Sequence, residues 1–348
     1  MDEYWITTQR QSNEVSILKR KGETSAAKAH QPKKRNKDEK LASSLDKEGI
    51  VDFSNTGPSG QSHVIVCNDS QGVEVLSASY ELKDEFKKAI LKTFKNSDHI
   101  NIQYRKTLDY QMNASSEDLF FYKILSHLIE AHQINSHIFD IEEQRLLSEK
   151  DFDHKIYARL LELLFSDRID IKIRSGETKM DNYKLDYRIG FYHKSSFIDV
   201  SNIEVGKAAT VTKVKDDHFK LILEAKTIFK NIIDNFSFIN PVNIKVYSLQ
   251  FCGLKGDCLR STMIKPKSMV VFRINDRLRI PLSRSDSNRA DDLLRSLLYY
   301  KAEIEQTVDT ISTCIKENND RCLSFKRALG RKKKVTHTYE EWVDWDGN

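Results

Sequence analysis

VKDDHFKLILEAKTIFKNIIDNF, residues 214–236, carries two incompatible readings, and the choice between them decides the fold. From Phe219 to Ala225 apolar and polar residues alternate as in a strand, which would set Glu224 and Lys226 on one face as an acid beside a lysine. The alternation fails at Thr227, Ile228 and Phe229. Ile222, Ala225, Phe229, Ile232, Ile233 and Phe236, by contrast, keep helical spacing over about four turns. Asp216 and Asp217 stand where the positive end of a helix dipole favours acids. The longer pattern predicts a helix. Residues two apart on a helix diverge by about 200°, so Glu224 and Lys226 cannot face one site, and the pair is expected on the surface.

Upstream of this helix the period is two. RIDIKIRS (168–175), YKLDYRIGFYH (183–193) and SFIDVSNIEV (196–205) all alternate, which predicts three consecutive strands. Before them SEKDFDHKIYARLLELLF opens with Ser148 three residues ahead of Asp151, close to a capping box, and carries Phe152, Ile156, Leu160, Leu163 and Leu164 on one helical face. Two further helices are expected earlier. One carries Leu82, Phe86, Ile90 and Phe94, and the other is SSEDLFFYKILSHLIEAHQ, with Ser115 or Ser116 as its cap. Downstream, NIKVYSLQFCGL (243–254) reads as a strand and 268–283 as a hairpin turning at Asn275-Asp276. A long final helix over 289–316 presents Leu293, Leu297, Tyr300, Ile304, Val308 and Ile311.

The 348 residues, 39% hydrophobic and 31% charged, are enough for one large α/β domain or two small ones once the polar ends are set aside. Residues 1–62 read as a disordered basic arm, 63–318 as the α/β domain beginning at the β-like run HVIVC (63–67), and 319–348 as a basic and then acidic-aromatic tail. No run is apolar enough to span a membrane, and the first residues lack the pattern of a secretory signal, so a soluble intracellular protein is expected. Five cysteines without a Cys-x-x-Cys pair argue against a disulfide framework and a zinc ribbon. The net charge of +5 is modest, but it is concentrated. Lys33-Lys34-Arg35 and Arg331-Lys332-Lys333-Lys334 have the form of nuclear import signals or phosphate tethers, so the nucleus, an import receptor and nucleic acid are the expected compartment and partners.

The order helix, strand, strand, strand, helix, strand over about residues 148–255 resembles the core of PD-(D/E)XK, restriction-endonuclease-like proteins. The motifs LDYRI, NIEVGK, FKLILEAK and SLQFCG resemble uncharacterised fungal proteins with that core. The resemblance implies an Asp on the second strand, matched by Asp186, and an acid followed by a lysine on the third, matched by Glu204 and Lys207. Family members place one residue between acid and lysine; here there are two, Val205 and Gly206, and a bulge at the glycine would turn Lys207 back toward the acids. On this reading Asp186 and Glu204 hold Mg²⁺ or Mn²⁺, and Lys207 is the electrostatic or base partner in a phosphodiester cleavage. Asp199 is a weaker candidate, because in a regular strand it points away from Glu204. The alternative is a catalytically inactive descendant of the fold, a nucleic-acid-binding or protein-interaction module using its basic arms and Trp342 and Trp345.

Other chemistries find less support. No phosphate-binding glycine loop or nucleophile elbow is present, and 12 glycines are few for a nucleotide-binding Rossmann domain. His127 and His132, five apart on a helix, diverge by about 140° and make a poor metal pair. Lys255, Arg260, Lys265, Lys267, Arg273, Arg277 and Arg279 collect around the expected hairpin, as a nucleic-acid groove or as a solvated face.

Overall fold

The structure, a computed structural model, describes residues 50–52, 80–95, 99–180, 183–207, 211–329 and 338–344, all within the compact unit Gly49–Asn348. It is an α/β fold built on a mixed seven-stranded sheet with helices against it. The strands are β1 (Ile50–Asp52), β2 (Ile171–Met180), β3 (Tyr183–His193), β4 (Ser196–Gly206), β5 (Lys245–Cys252), β6 (Lys255–Lys265) and β7 (Ser268–Arg279), in the order β1-β7-β6-β5-β4-β3-β2. β2, β3 and β4 form an antiparallel meander; β5 lies parallel to β4, and β5, β6 and β7 form a second meander. The helices are α1 (Asp84–Thr93), α2 (Ile100–Asn113), α3 (Leu119–Ile134), α4 (Ile141–Gln144), α5 (Glu149–Phe152), α6 (Ala158–Leu164), α7 (Val211–Asn235) and α8 (Ser287–Leu329), with a π turn, Asp153–Tyr157, joining α5 to α6.

A parallel neighbour requires a crossover, and α7 supplies it between β4 and β5. The stretch at 214–236 is therefore helical, as its longer period indicated. Leu221, Ile222, Ile228, Phe229, Ile232 and Ile233 are all buried. At about 1.5–3 kcal/mol for each fully buried large side chain, this stripe far outweighs the cost of one buried carboxylate within it. On the opposite face of β4, Ser201 Oγ meets the hydroxyl of Tyr300 on α8 at 2.5 Å, so the two long helices sandwich the centre of the sheet.

The capping box at Ser148 is present, with Ser148 Oγ accepting from Asp151 N and the Asp151 carboxylate accepting from Ser148 N. Ser115 Oγ accepts from the backbone N–H of Asp118, the residue that precedes α3. Among the departures from the sequence reading, which include the unforeseen strand β6 and the continuation of α8 to Leu329, three stand out. The strand β1 lies inside the segment read as an arm; three residues are too short to show a period, and β1 is held by parallel pairing to β7. Helix α2 was not foreseen because its pattern is inverted: Gln103 and Thr107 are buried while Ile102, Leu108 and Met112 are exposed. Gln103 earns its interior place by donating to the carbonyls of Lys95 and Arg284.

The third departure is the hairpin, which turns at Pro266-Lys267 rather than Asn275-Asp276. Proline presets the first corner, and Lys267 takes the second with φ 58°. Residues 275–276 instead lie within β7, beside an irregularity in its register with β6. The expected strand at 63–67, the basic clusters at 33–35 and 331–334, and Trp345 lie outside the described residues. No helix among the described residues is long and apolar enough to cross a membrane.

Candidate functional site: a carboxylate cluster at the end of β4

The site lies at the carboxyl ends of the parallel strands β4 and β5, beneath the first turns of α7. Open α/β sheets bind ligands at this kind of place, because the crossover helix begins there and leaves a crevice. Side chains two apart on a strand share a face. On the α7 side, β4 presents Asn202 and Glu204 and β5 presents Ser248 and Gln250 in matching register. Tyr187 pairs with Ile203 across β3 and β4, so one step further the antiparallel register sets Asp186 opposite Glu204. Asp186 Oδ2 accepts a 2.8 Å hydrogen bond from Val205 N, which ties its carboxylate to β4.

Helix α7 contributes Asp217, Lys220 and Glu224, spaced three and four apart and so on one face. Lys220 Nζ lies 2.5 Å from Glu204 Oε1 and 3.6 Å from Glu224 Oε1. Glu224 is completely buried. Its Oε2 accepts from Asn202 Nδ2 at 2.8 Å, Asn202 Oδ1 in turn accepts from Ser248 Oγ at 2.6 Å, and its Oε1 has no hydrogen-bond partner. Gln250 Nε2 donates to the Val214 carbonyl, pinning the start of α7 over the strand ends.

Packing acids this closely raises their proton affinity. Burial and the nearby charge of Asp186 push Glu204 up to about 7, against the opposing pull of Lys220. Burial and the charge of Glu204 push Glu224 up to about 8. Burial likewise raises Asp217. For Lys220 burial acts to lower the value, but the hydrogen bond and charge of Glu204 outweigh it, and the ammonium is held above its ordinary range.

The structure thus brings Asp186 and Glu204 together and sets Lys207 apart from them. Lys207 Nζ donates to the Arg145 carbonyl at 2.8 Å, and the ammonium on Glu204 is that of Lys220. Glu224, expected on the surface, is instead interior. Helical phase does separate it from Lys226, but the sheet-facing side is its own. The signal was present: Glu224 sits three residues after Leu221 and four before Ile228, a carboxylate at a core position of an apolar stripe.

Asp199 is turned by a β-bulge between the Ile189–Ser201 and Gly190–Asp199 pairs. It meets Arg188 in a two-point ion pair at 2.7 and 2.5 Å, so its charge is neutralised away from Glu204. His127 Nε2 lies 2.9 Å from the Ile156 carbonyl in the π turn, and His132 stacks on Phe139. Of the basic residues near the last hairpin, Arg273 pairs with Asp257, Arg260 lies over Phe272, and Lys267 is 3.9 Å from Asp344. The acidic-aromatic tail docks on the body, with Tyr339 N donating to the Ser237 carbonyl and Lys267 N to that of Trp342.

No family model, no curated protein and no solved structure matches this chain. The site's own chemistry therefore has to speak for its function. Among the described residues no group of three or more His, Cys, Asp or Glu side chains is placed to hold a metal ion. Mg²⁺, however, is commonly held by one or two carboxylates together with waters and substrate phosphate oxygens. The facing hard oxygen donors of Asp186 and Glu204 fit that mode; burial first and then the charge of Asp186 raise Glu204, and a divalent cation would relieve the second of these.

Proposed function

We propose that the chain is a divalent-metal-dependent phosphodiesterase acting on nucleic acid, with a restriction-endonuclease-like core running from α5 to β5. The observation that carries this reading is the facing pair Asp186 and Glu204, at the carboxyl end of a parallel strand, with the Lys220 ammonium on Glu204. The element order from α6 through β2, β3, β4 and α7 to β5 supports it, as does the parallel pairing of β5 with β4. Asp186 and Glu204 would hold Mg²⁺ or Mn²⁺. When bound, such an ion polarises a phosphodiester and makes a water more acidic.

The protein's own residues do the rest. Val205 N fixes the Asp186 carboxylate. Glu204, raised to about 7 by burial and the charge of Asp186, would have to release its proton to hold the ion as a carboxylate. Lys220, fixed on α7 rather than following the acid on β4, sets a positive charge beside the place where charge builds on phosphorus. In this assignment Lys220 takes the role that the sequence motif gave to Lys207. The basic clusters at Lys33-Lys34-Arg35 and Arg331-Lys332-Lys333-Lys334 would serve nuclear import and hold the phosphate backbone.

A second reading, a non-catalytic nucleic-acid-binding or protein-interaction module of the same fold, is favoured by one observation. Lys220 lies close to both Glu204 and Glu224 and supplies one positive charge to the cluster without a metal. Cleavage of single- and double-stranded DNA and RNA in Mg²⁺ or Mn²⁺, with Asp186→Ala and Glu204→Ala alongside, separates the two. The catalytic reading expects cleavage by the wild type that both variants lose. No cleavage by any of the three supports the module, and equal cleavage by all three removes Asp186 and Glu204 from the chemistry.

A further inference from the structure

We infer that the β2–β3 part of the sheet face beside α7 is a groove for single-stranded nucleic acid, in which unpaired bases stack on Tyr192 and the Arg174–Phe197 pair. The inference rests on the nucleic-acid reading above and extends it to a substrate class. Helix α7 lies over β4 and β5, whereas no described helix covers the same face of β2 and β3: Lys172 and Tyr192 are exposed, Arg174 and Asp186 are partly exposed, and Arg188 is largely buried against Asp199. Register shows that these residues share one face. Arg174 pairs with Arg188, Lys172 with Gly190, and Tyr192 with Phe197, and Asp186 precedes Arg188 by one period of the strand. The row runs along β3 from the carboxylate pair to Tyr192, a span of about 20 Å.

The far end of the row is layered. The Phe197 ring lies across Gly190, where a side-chain carbon would come within 3.0 Å of Phe197 Cζ. The Arg174 guanidinium lies 4.2 Å from the Phe197 ring centre and donates to the Tyr192 hydroxyl at 2.7 Å, and Tyr192 meets Phe197 edge-on with centroids 5.3 Å apart. Tyr192 is 53% exposed, unusually open for a large aromatic side chain in a sheet. The acid at this end of the row, Asp199, is buried and neutralised by Arg188, so Lys172 and Arg174 leave this end of the groove basic.

A basic row ending in an aromatic–guanidinium platform matches a phosphate backbone whose bases are free to stack. A duplex gains little from it, because its bases already stack on one another. The row also leads to the carboxylate pair, so a strand lying in it would pass its backbone across Asp186 and Glu204. An acidic peptide would satisfy the charges but has no use for the exposed ring.

The test is fluorescence anisotropy of the full-length chain in EDTA, with labelled oligothymidylate of about 12 nucleotides, the same strand carrying abasic sites, and a duplex of equal length. Abasic strands keep the phosphates, so contacts from the basic arms are unchanged. Wild type is expected to bind the thymidine strand about tenfold tighter than the abasic strand. Tyr192→Ala should remove that preference while leaving the melting temperature unchanged, and Tyr192→Phe should retain it. Equal binding of thymidine and abasic strands by the wild type, a preference for duplex, or an unchanged preference in Tyr192→Ala would overturn the inference. Because EDTA prevents cleavage, base-dependent binding in a chain that cleaves nothing would sink the metal reading alone, and cleavage without it would sink the groove alone.

Discussion

Lys220 Nζ lies 2.5 Å from Glu204 Oε1, although the two residues come from different elements, one on α7 and the other on β4. The lysine that follows Glu204 in sequence is directed to the Arg145 carbonyl instead. If Lys220 supplies the positive charge of the site, Lys220→Met should lower cleavage by roughly 10²–10³-fold, the usual effect of deleting one electrostatic stabiliser. Lys207→Met should stay within a fewfold of wild type. Single-turnover rates on one labelled oligonucleotide measure both, and the opposite ranking would return the role to Lys207.

Glu224 should govern how stability depends on pH. Its folded-state value is raised to about 8, above its ordinary value of 4.5. Between these values the folded protein binds more protons than the unfolded chain, so stability falls as pH rises from about 4.5 to 8. Glu204, raised to about 7, acts in the same direction. Glu224→Gln keeps the size of the side chain and removes the charge. It should therefore raise Tm at pH 8.5 by about 2–4 °C for each ~1 kcal/mol recovered, with little change at pH 4.5. Melting curves across that range check the sign; a variant that loses stability at high pH would show that the buried carboxylate is stabilised as an anion.

Gly190 should tolerate no β-branched side chain. A Cβ there would come within 2.0 Å of the Ile198 carbonyl oxygen, a backbone atom of the bulge that cannot swing aside. The same bulge turns Asp199 toward Arg188. Gly190→Val should cost on the order of 3 kcal/mol in equilibrium urea unfolding. It should also weaken the ion pair at Asp199, whose disruption in a buried setting costs several kcal/mol more. A variant as stable as wild type would mean that β3 and β4 pair without the bulge.

Much of this architecture was legible in the sequence, for physical reasons that vary by element. The alternation in 168–205 announced β2, β3 and β4, in β4 because one face is apolar and the other carries buried polar groups, and the stripe from Ile222 to Phe236 announced α7 because one side of it is core. β6 escaped notice because KGDCLRSTMIK mixes glycine, acid and hydroxyl residues without a clean period, and α2 because its buried residues are polar. That Asp186 and Glu204 would lie next to each other was legible from their order on successive strands, the feature on which the family resemblance rested. Lys220 was not, since its link to Glu204 arises from the α7 crossover and no sequence spacing encodes it. Glu224 was discounted for its distance in phase from Lys226, when its position within the apolar stripe was the telling feature.

The central claim is that Asp186 and Glu204 share one divalent cation, and calorimetric titration of Mn²⁺ into the full-length chain tests it most directly. The account predicts one ion bound per chain at pH 7.5. Both Asp186→Asn and Glu204→Gln should lose that ion, and because Glu204 must shed a proton near 7, wild-type affinity should fall steadily as pH drops from 7 to 5.5. Binding that is unchanged in either variant, or that does not weaken on acidification, would contradict it.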